Sequence, residues 1–276
     1  MTPEQSLHLL KQQLQGYKSI GVAFSGGVDS AVLLKSAAHI LGEKHVVAFL
    51  GVSDSLASRE KEIAVKLAQD IGVQFVEIST REMENPAYLA NDNQRCYFCK
   101  EALFSAISNF DFSKYGLDVI AYGENADDSK KRDRPGQRAA AEFGVIKPLS
   151  TAGLGKQDVR DLAHFFGLSV AMKPATPCLA SRIKPFTQVT KLALTHVEVL
   201  EDFLFTLGFT DVRARFLGDS LLIEVPENEL GKLFSTEITA SIISFGENKD
   251  LPKIEFSKLP LRSGSFSAQQ LESQHV

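Results

Sequence analysis

Ser25-Gly26-Gly27-Val28-Asp29-Ser30 constrains this chain more than any other stretch. It stands where an apolar run, Ser19 to Phe24, meets an amphipathic segment, Ala31 to Leu41. That reads as a corner between a buried strand and a helix. Two glycines at such a corner allow close approach of a ligand and turns closed to residues with a Cβ. The N–H groups of the helix's first turn, with the positive dipole end behind them, then face whatever fills the corner. The expectation is an anion site, and the anion a phosphate chain. Ser25 and Ser30 add hydroxyl donors, and Asp29 suits Mg²⁺ against the phosphates. The competing reading is a tight turn in which Asp29 or Ser30 only caps the helix.

The pattern along the chain is strand and helix in alternation. A first helix spans about 5–15, with Leu7, Leu10 and Leu14 on one face. After the corner come a strand from His45 to Val52, a helix from about Ala57 to Ile71 stopped by Gly72, and a strand from Gln74 to Ile78. A helix begins near Cys96, a fourth strand runs from Leu117 to Tyr122, and a short fifth covers Gly144 to Leu149. Between them the charged stretch Lys130 to Gly136 reads as an exposed loop. Lys156 to Phe166 is a helix ended by Gly167. This spacing predicts βαβ units and a mostly parallel, Rossmann-like sheet, with ligands beyond the carboxyl ends of the strands.

Lys173-Pro174-Ala175-Thr176-Pro177-Cys178-Leu179-Ala180-Ser181-Arg182 reads as an extended segment, because its two prolines disfavour helix. The boundary is expected just after it: an α/β domain over 1–185, a smaller α+β domain over 186–266 and a disordered tail over 267–276. The second domain reads as a helix over about Val189 to Leu207, strands over Asp211 to Phe216 and Ser220 to Val225, another helix and a last strand near Ile254.

Composition narrows the partners. At 276 residues, 44% hydrophobic and 23% charged, the chain has the balance of a globular protein. No apolar run approaches the roughly 18 residues of a membrane span, and no signal peptide is visible at Met1 to Gln5. The expected place is the cytoplasm, without membrane contact. A net charge of −4 gives no general attraction to nucleic acid. Three cysteines make a disulfide framework a poor fit. His164 and His196 lie in helical stretches and read as structural or solvent-facing.

The loop is not a Walker pattern. It resembles the pyrophosphate loop of the ATP pyrophosphatases, which adenylate a substrate oxygen and then let a nitrogen or sulfur nucleophile displace AMP. Further motifs narrow the likeness: Gly123-Glu124-Asn125-Ala126-Asp127-Asp128, Arg134-Pro135-Gly136, Lys173-Pro174-Ala175, Cys178-Leu179-Ala180-Ser181-Arg182, Arg213 and Arg215 with Glu224, and Arg262-Ser263-Gly264-Ser265. Taken in order over nearly the whole chain, they resemble the LarE family of ATP-dependent sulfur transferases. That resemblance implies ATP and Mg²⁺, a small nucleotide substrate (pyridinium-3,5-biscarboxylate mononucleotide), its conversion to a thiocarboxylate, and a homo-oligomer. It assigns Ser25, Gly26, Gly27, Asp29, Ser30, Gly123, Asn125 and Asp127 to ATP, Cys178 to sulfur delivery, and Arg182, Arg213, Arg215 and Glu224 to the substrate or phosphate pocket. Arg213 and Arg215, at i and i+2 of a strand, would share one face; the plainer alternative is a solvated face with surface ion pairs.

Members of that family come in two forms, one spending the sulfur of a single cysteine and one holding a [4Fe-4S] cluster on three. Cys96, Cys99 and Cys178 match the second form, and three thiolates leave one iron open. A sacrificial Cys178, zinc, a dithiol pair or inert buried cysteines are the alternatives. Other functions compete too: tRNA 2-thiolation, which usually adds zinc-ribbon cysteines; an amide-forming ligase, which needs no three-cysteine set; and a nucleotide sensor without turnover, which leaves Cys178 and the arginines without purpose.

Overall fold

The two inner strands of the first sheet are short apolar runs covered on both faces. The computed structural model describes residues 1–110, 115–129 and 135–262. They form two compact units, one of Met1–Glu82 with Cys96–Thr176, the other of Met83–Arg95 with the chain from Pro177 on.

The chain opens with α1 (Pro3–Leu14), whose N-terminus is closed by reciprocal bonds between Thr2 and Gln5. Then follow β1 (Ile20–Ala23), α2 (Val28–Leu41), β2 (Val46–Val52), α3 (Ser58–Ile71) and β3 (Gln74–Ser79). Gly72, left-handed at φ 85°, ends α3. After α4 (Pro86–Leu89), which belongs to the second unit, come α5 (Arg95–Ser108), β4 (Val119–Tyr122), α6 (Ala126–Ser129), α7 (Pro135–Glu142), α8 (Pro148–Thr151) and α9 (Lys156–Phe165).

The sheet runs β3-β2-β1-β4 with every pair parallel. Strand alternation sorts β2 onto two cores. Val46, Ala48 and Leu50 pack with residues of α1, α2, α3 and α9. Val47 and Phe49 pack with Phe104 and Ile107 of α5 and with Ala139 and Ala140 of α7. Burying a side chain such as Phe49 contributes about 1.5–3 kcal/mol. The result is the α/β, Rossmann-like layering expected from the pattern.

Two local expectations are corrected. Gly144 to Leu149 is not a fifth strand: it makes one parallel bridge, Ala121 with Ile146, and then leaves the sheet. Pro148 has no N–H for a ladder, and its fixed φ suits the first turn of α8. The charged stretch is not loop throughout, since Pro135 and Gly136 already belong to α7 and Gly136 is buried. Its remainder, 130–134, lies outside the described residues, as do Ser263-Gly264-Ser265 and the tail over 267–276.

In the second unit, α10 (Lys191–Thr206) precedes β5 (Arg213–Phe216), β6 (Ser220–Glu224), α11 (Leu230–Leu233), α12 (Thr236–Asn248) and β7 (Lys253–Phe256). Its sheet is β5-β6-β7, antiparallel then parallel. This is a small α+β unit. It differs from the domain division expected from the sequence by starting at Pro177 and by taking in Met83–Arg95. That segment is sewn to it by the bonds Val189 N–H to Leu89 O and Phe186 N–H to Asn91 O. Among the described residues no helix is long and apolar enough to cross a membrane.

Candidate functional site

The strand order places a switch point in the first unit. From β1 the chain moves outward to β2 and β3 on one side, then returns to β4 on the other. In open sheets of this kind ligands bind beyond the carboxyl ends of the two strands that flank the reversal, here β1 and β4. The loops after those strands carry Ser25 to Ser30 and Gly123 to Asp128.

The N-cap of α2 is Gly27, with no side chain capping it. The simple capping role for Asp29 or Ser30 is therefore not what the structure adopts. Gly26 sits at φ 72°, where a Cβ would also stand 2.9 Å from the Ala64 methyl. The two hydroxyls brace the loop: Ser30 donates to Gly27 O at 3.0 Å and accepts from Ser25 N–H at 3.2 Å, and the two hydroxyl oxygens are 3.2 Å apart. Gly123 brings the end of β4 directly against this corner. A Cβ there would meet Ser30 N at 2.6 Å and Asp29 C at 2.8 Å, both backbone atoms.

Asn125 joins the two loops. Its Nδ2 donates to Asp29 Oδ1 at 3.1 Å and to Asp128 Oδ2 at 3.0 Å, while its Oδ1 accepts from the N–H groups of Asp127 and Asp128, both at 3.0 Å. Asp127 Oδ2 accepts from the Lys156 N–H at 2.8 Å, which pins the start of α9. Lys156 Nζ reaches Asp29 Oδ2 at 2.6 Å. The sequence reading missed this lysine. Its signal was Leu154-Gly155-Lys156 at a helix start, where Gly155 leaves room for the Asp127 carboxylate 2.8 Å from any added Cβ. The corner thus gathers helix N–H groups without a side-chain cap, the Lys156 ammonium and the carboxylates of Asp29, Asp127 and Asp128.

In the second unit the arginines are spoken for. Arg182 is 1% exposed; its Nε and Nη2 donate to the two oxygens of Glu201, at 2.9 and 3.2 Å. Its Nη1 donates to Pro177 O, to Cys178 O at 3.2 Å and to Ser181 Oγ at 3.1 Å. Glu201 Oε1 also accepts from Ala214 N–H at 3.1 Å, tying α10 to β5. Arg213 pairs with Asp211 at 2.5 Å and donates to Val212 O. Burial, and then the neighbouring Arg182 charge, pull its guanidinium below its ordinary pKa. Arg215 pairs with Glu224 at 2.8 Å and donates to Ser181 O at 3.2 Å. Arg213 and Arg215 are buried on β5, not on a solvated strand face with surface pairs.

No disulfide joins the three cysteines. Cys96 and Cys99 stand at i and i+3 near the start of α5, on one helix face, exposed and half-buried respectively. Cys178 is exposed at the N-cap of a short 3-10 turn, Leu179–Arg182. The pair belongs to one unit and Cys178 to the other. Among the described residues neither unit alone gathers three His, Cys, Asp or Glu side chains fit to hold a metal ion.

A parallel Rossmann-like sheet with a glycine corner at its switch point, followed by a small α+β unit, defines the class. No family model matches the chain. It is 37% identical over 227 residues to the uncharacterized protein slr1717 of Synechocystis, covering 82% of this chain and 84% of that one. The pyridinium-3,5-bisthiocarboxylic acid mononucleotide synthase of Lactiplantibacillus plantarum is 29% identical, over 92% of this chain and 88% of its own. The uncharacterized protein MJ0830 of Methanocaldococcus jannaschii is 28% identical, over 87% of this chain and 90% of its own. The chain belongs to the LarE family.

Proposed function

We propose that this protein is an ATP-dependent sulfur transferase. It adenylates a carboxylate of pyridinium-3,5-biscarboxylate mononucleotide, releases pyrophosphate and turns the acyl adenylate into a thiocarboxylate for the nickel-pincer cofactor of lactate racemase. The observation that carries the reading is the start of α2, uncapped by any side chain at the switch point, with Gly123 against it and Lys156 beside it. The likeness to the Lactiplantibacillus enzyme, a pyridinium-3,5-bisthiocarboxylic acid mononucleotide synthase, supports that substrate.

A carboxylate is a poor acyl donor because its oxygen is a poor leaving group. Its oxygen attacks the α-phosphorus and pyrophosphate departs, its growing charge met by the N–H groups of α2 and by the Lys156 ammonium. Sulfur then attacks the acyl carbon, and AMP leaves with one of the original carboxylate oxygens. Asp29 and Asp128 are the oxygen donors suited to Mg²⁺, which neutralises phosphate charge when bound. Since Lys156 holds Asp29 Oδ2, a cation there requires the ammonium to turn toward the phosphates.

For the sulfur, the donor chemistry of Cys96, Cys99 and Cys178 suits a [4Fe-4S] cluster: three cysteine side chains outside any disulfide, each exposed or half-buried. Such a cluster would supply an iron able to carry an extra sulfide. Without it, Cys178 attacks the acyl carbon itself; its Cβ–S bond then breaks with loss of the Cα proton, leaving dehydroalanine.

The test is pyrophosphate release and product mass with ATP, Mg²⁺ and the biscarboxylate mononucleotide. One pyrophosphate per thiocarboxylate is expected. About four irons and matching acid-labile sulfide after anaerobic purification, lost in Cys96→Ala, identify the cluster form. A Cys178 peptide lighter by H₂S identifies the sacrificial form. No release with the mononucleotide, or release that depends on tRNA, contradicts the reading.

A further inference from the structure

The short turn that begins at Cys178 is held by its carbonyls, and the holders are guanidinium groups. Four consecutive or near-consecutive carbonyl oxygens, those of Pro177, Cys178, Ala180 and Ser181, each accept from an arginine. Arg182 Nη1 serves the first two, Arg215 Nη1 the last at 3.2 Å, and Arg95 Nη1 donates to Ala180 O at 2.8 Å. All of these residues lie in the second unit.

Arg95 stands apart from the other two. Sequence reasoning gave it no role, and it reaches Ala180 from 85 residues away. The same Nη1 also donates to Asn91 Oδ1 at 2.5 Å, so both of its hydrogens are used. Asn91 is 2% exposed and left-handed at φ 55°. Its Nδ2 donates to Lys184 O and Thr187 O, both at 2.9 Å, which fixes the chain just beyond the turn. Guanidinium bonds to carbonyls are charge-assisted and directional, so this arrangement restrains the turn more than neutral bonds would. The thiol of Cys178 stays exposed while the backbone that carries it is gripped. A cysteine that delivers sulfur to one acyl carbon, as the nucleophile or as a cluster ligand, needs that combination, since a displacement of about 1 Å costs about 10²-fold in rate.

The geometry points to Arg95, seated by Asn91, as a positioning residue for Cys178: it completes an arginine clasp on the backbone of the sulfur-delivering turn. This rests on the proposed sulfur-transfer role of Cys178, and it adds a residue that acts through that cysteine rather than on the substrate.

Two readouts on the full-length protein test it with Arg95→Gln and Arg95→Lys. The first is the rate of iodoacetamide labelling of Cys178, followed by mass spectrometry without ATP or substrate. Loosening the turn raises that rate in Arg95→Gln by about threefold or more, whereas Arg95→Lys, whose ammonium can still bond both oxygens, stays near wild type. The second is thiocarboxylate formed per pyrophosphate released. It falls about tenfold in Arg95→Gln, with pyrophosphate release kept, and is restored in Arg95→Lys. Labelling equal to wild type in Arg95→Gln overturns the clasp. So does a parallel fall of pyrophosphate and thiocarboxylate, or an equal change in both variants that follows loss of thermal stability. Should Arg95→Gln not fold, Asn91→Ala replaces it with the same expectations. A wild-type protein that forms no thiocarboxylate sinks the proposed function, while the labelling comparison still decides the clasp.

Discussion

The glycine corner of the first unit and the arginine cluster of the second both look, in sequence, like places for phosphate. They differ in how their donors are spent. At the corner the donors belong to the backbone of α2, no side chain caps them, and glycines keep Cβ atoms out of the way. In the second unit the donors are the forks of Arg182, Arg213 and Arg215, already bonded to Glu201, Asp211, Glu224 and backbone carbonyls. An arginine can bind a ligand or organise its own chain, and burial with a matched carboxylate favours the second. Under the proposed function the corner receives the anion, while Arg182 and Arg215 bond the carbonyls around Cys178.

The comparison can be broken most severely at its most buried pair. Glu201→Leu strands the Arg182 charge at 1% exposure and removes the acceptor of Ala214 N–H. It should cost about 3–5 kcal/mol in denaturant unfolding, most of it regained when Arg182→Met is added. A cost below about 1 kcal/mol would mean that the pair is not the organiser described here. Gly123→Ala comes next, because the added Cβ meets the backbone of Asp29 and Ser30 rather than a flexible side chain. Overpacking there should destabilise by about 1–3 kcal/mol and abolish pyrophosphate release. Full activity in that variant would separate β4 from the site.

Lys156→Ala sharpens the contrast from the other side. The lysine is half-exposed, so its pair with Asp29 contributes about 0–1 kcal/mol to stability. Pyrophosphate release should nevertheless fall about 10²-fold, as for a lost electrostatic stabiliser. Equal losses in Lys156→Arg and Lys156→Ala would speak for shape rather than charge. The smallest effect is expected at His196 of α10. Burial lowers its pKa from 6.5, so the fold favours the neutral ring. The stability this gives is present above pH 6.5 and lost as pH falls through the lower folded value. His196→Gln should flatten that part of the thermal midpoint against pH; an unchanged slope removes His196 from the account.

The sheet was legible because parallel strands covered on both faces are written as short apolar runs, such as Val46 to Leu50. The corner was legible because Gly26 and Gly27 break that code at the strand's end. Ile146 misled because an apolar residue before Pro148 resembles a strand end yet makes one bridge only. Lys156, Asn91 and Arg95 were not legible for a common reason. Their bonds run from side chains to partners more than 80 residues away, and such bonds leave no periodicity in the chain. The same holds for the arginines of β5: spacing put Arg213 and Arg215 on one face, but only the fold supplied the carboxylates that occupy them.

The most direct measurement is backbone hydrogen exchange with and without ATP and Mg²⁺, before any mononucleotide is added. Slower exchange across Ser25 to Ala31 and Gly123 to Asp128, with Cys178 to Arg182 and Arg213 to Phe216 unchanged, is the predicted result. Protection at Arg213 to Phe216 with none at Ser25 to Ala31 would contradict it, and would make the arginines, not the glycine corner, the phosphate site.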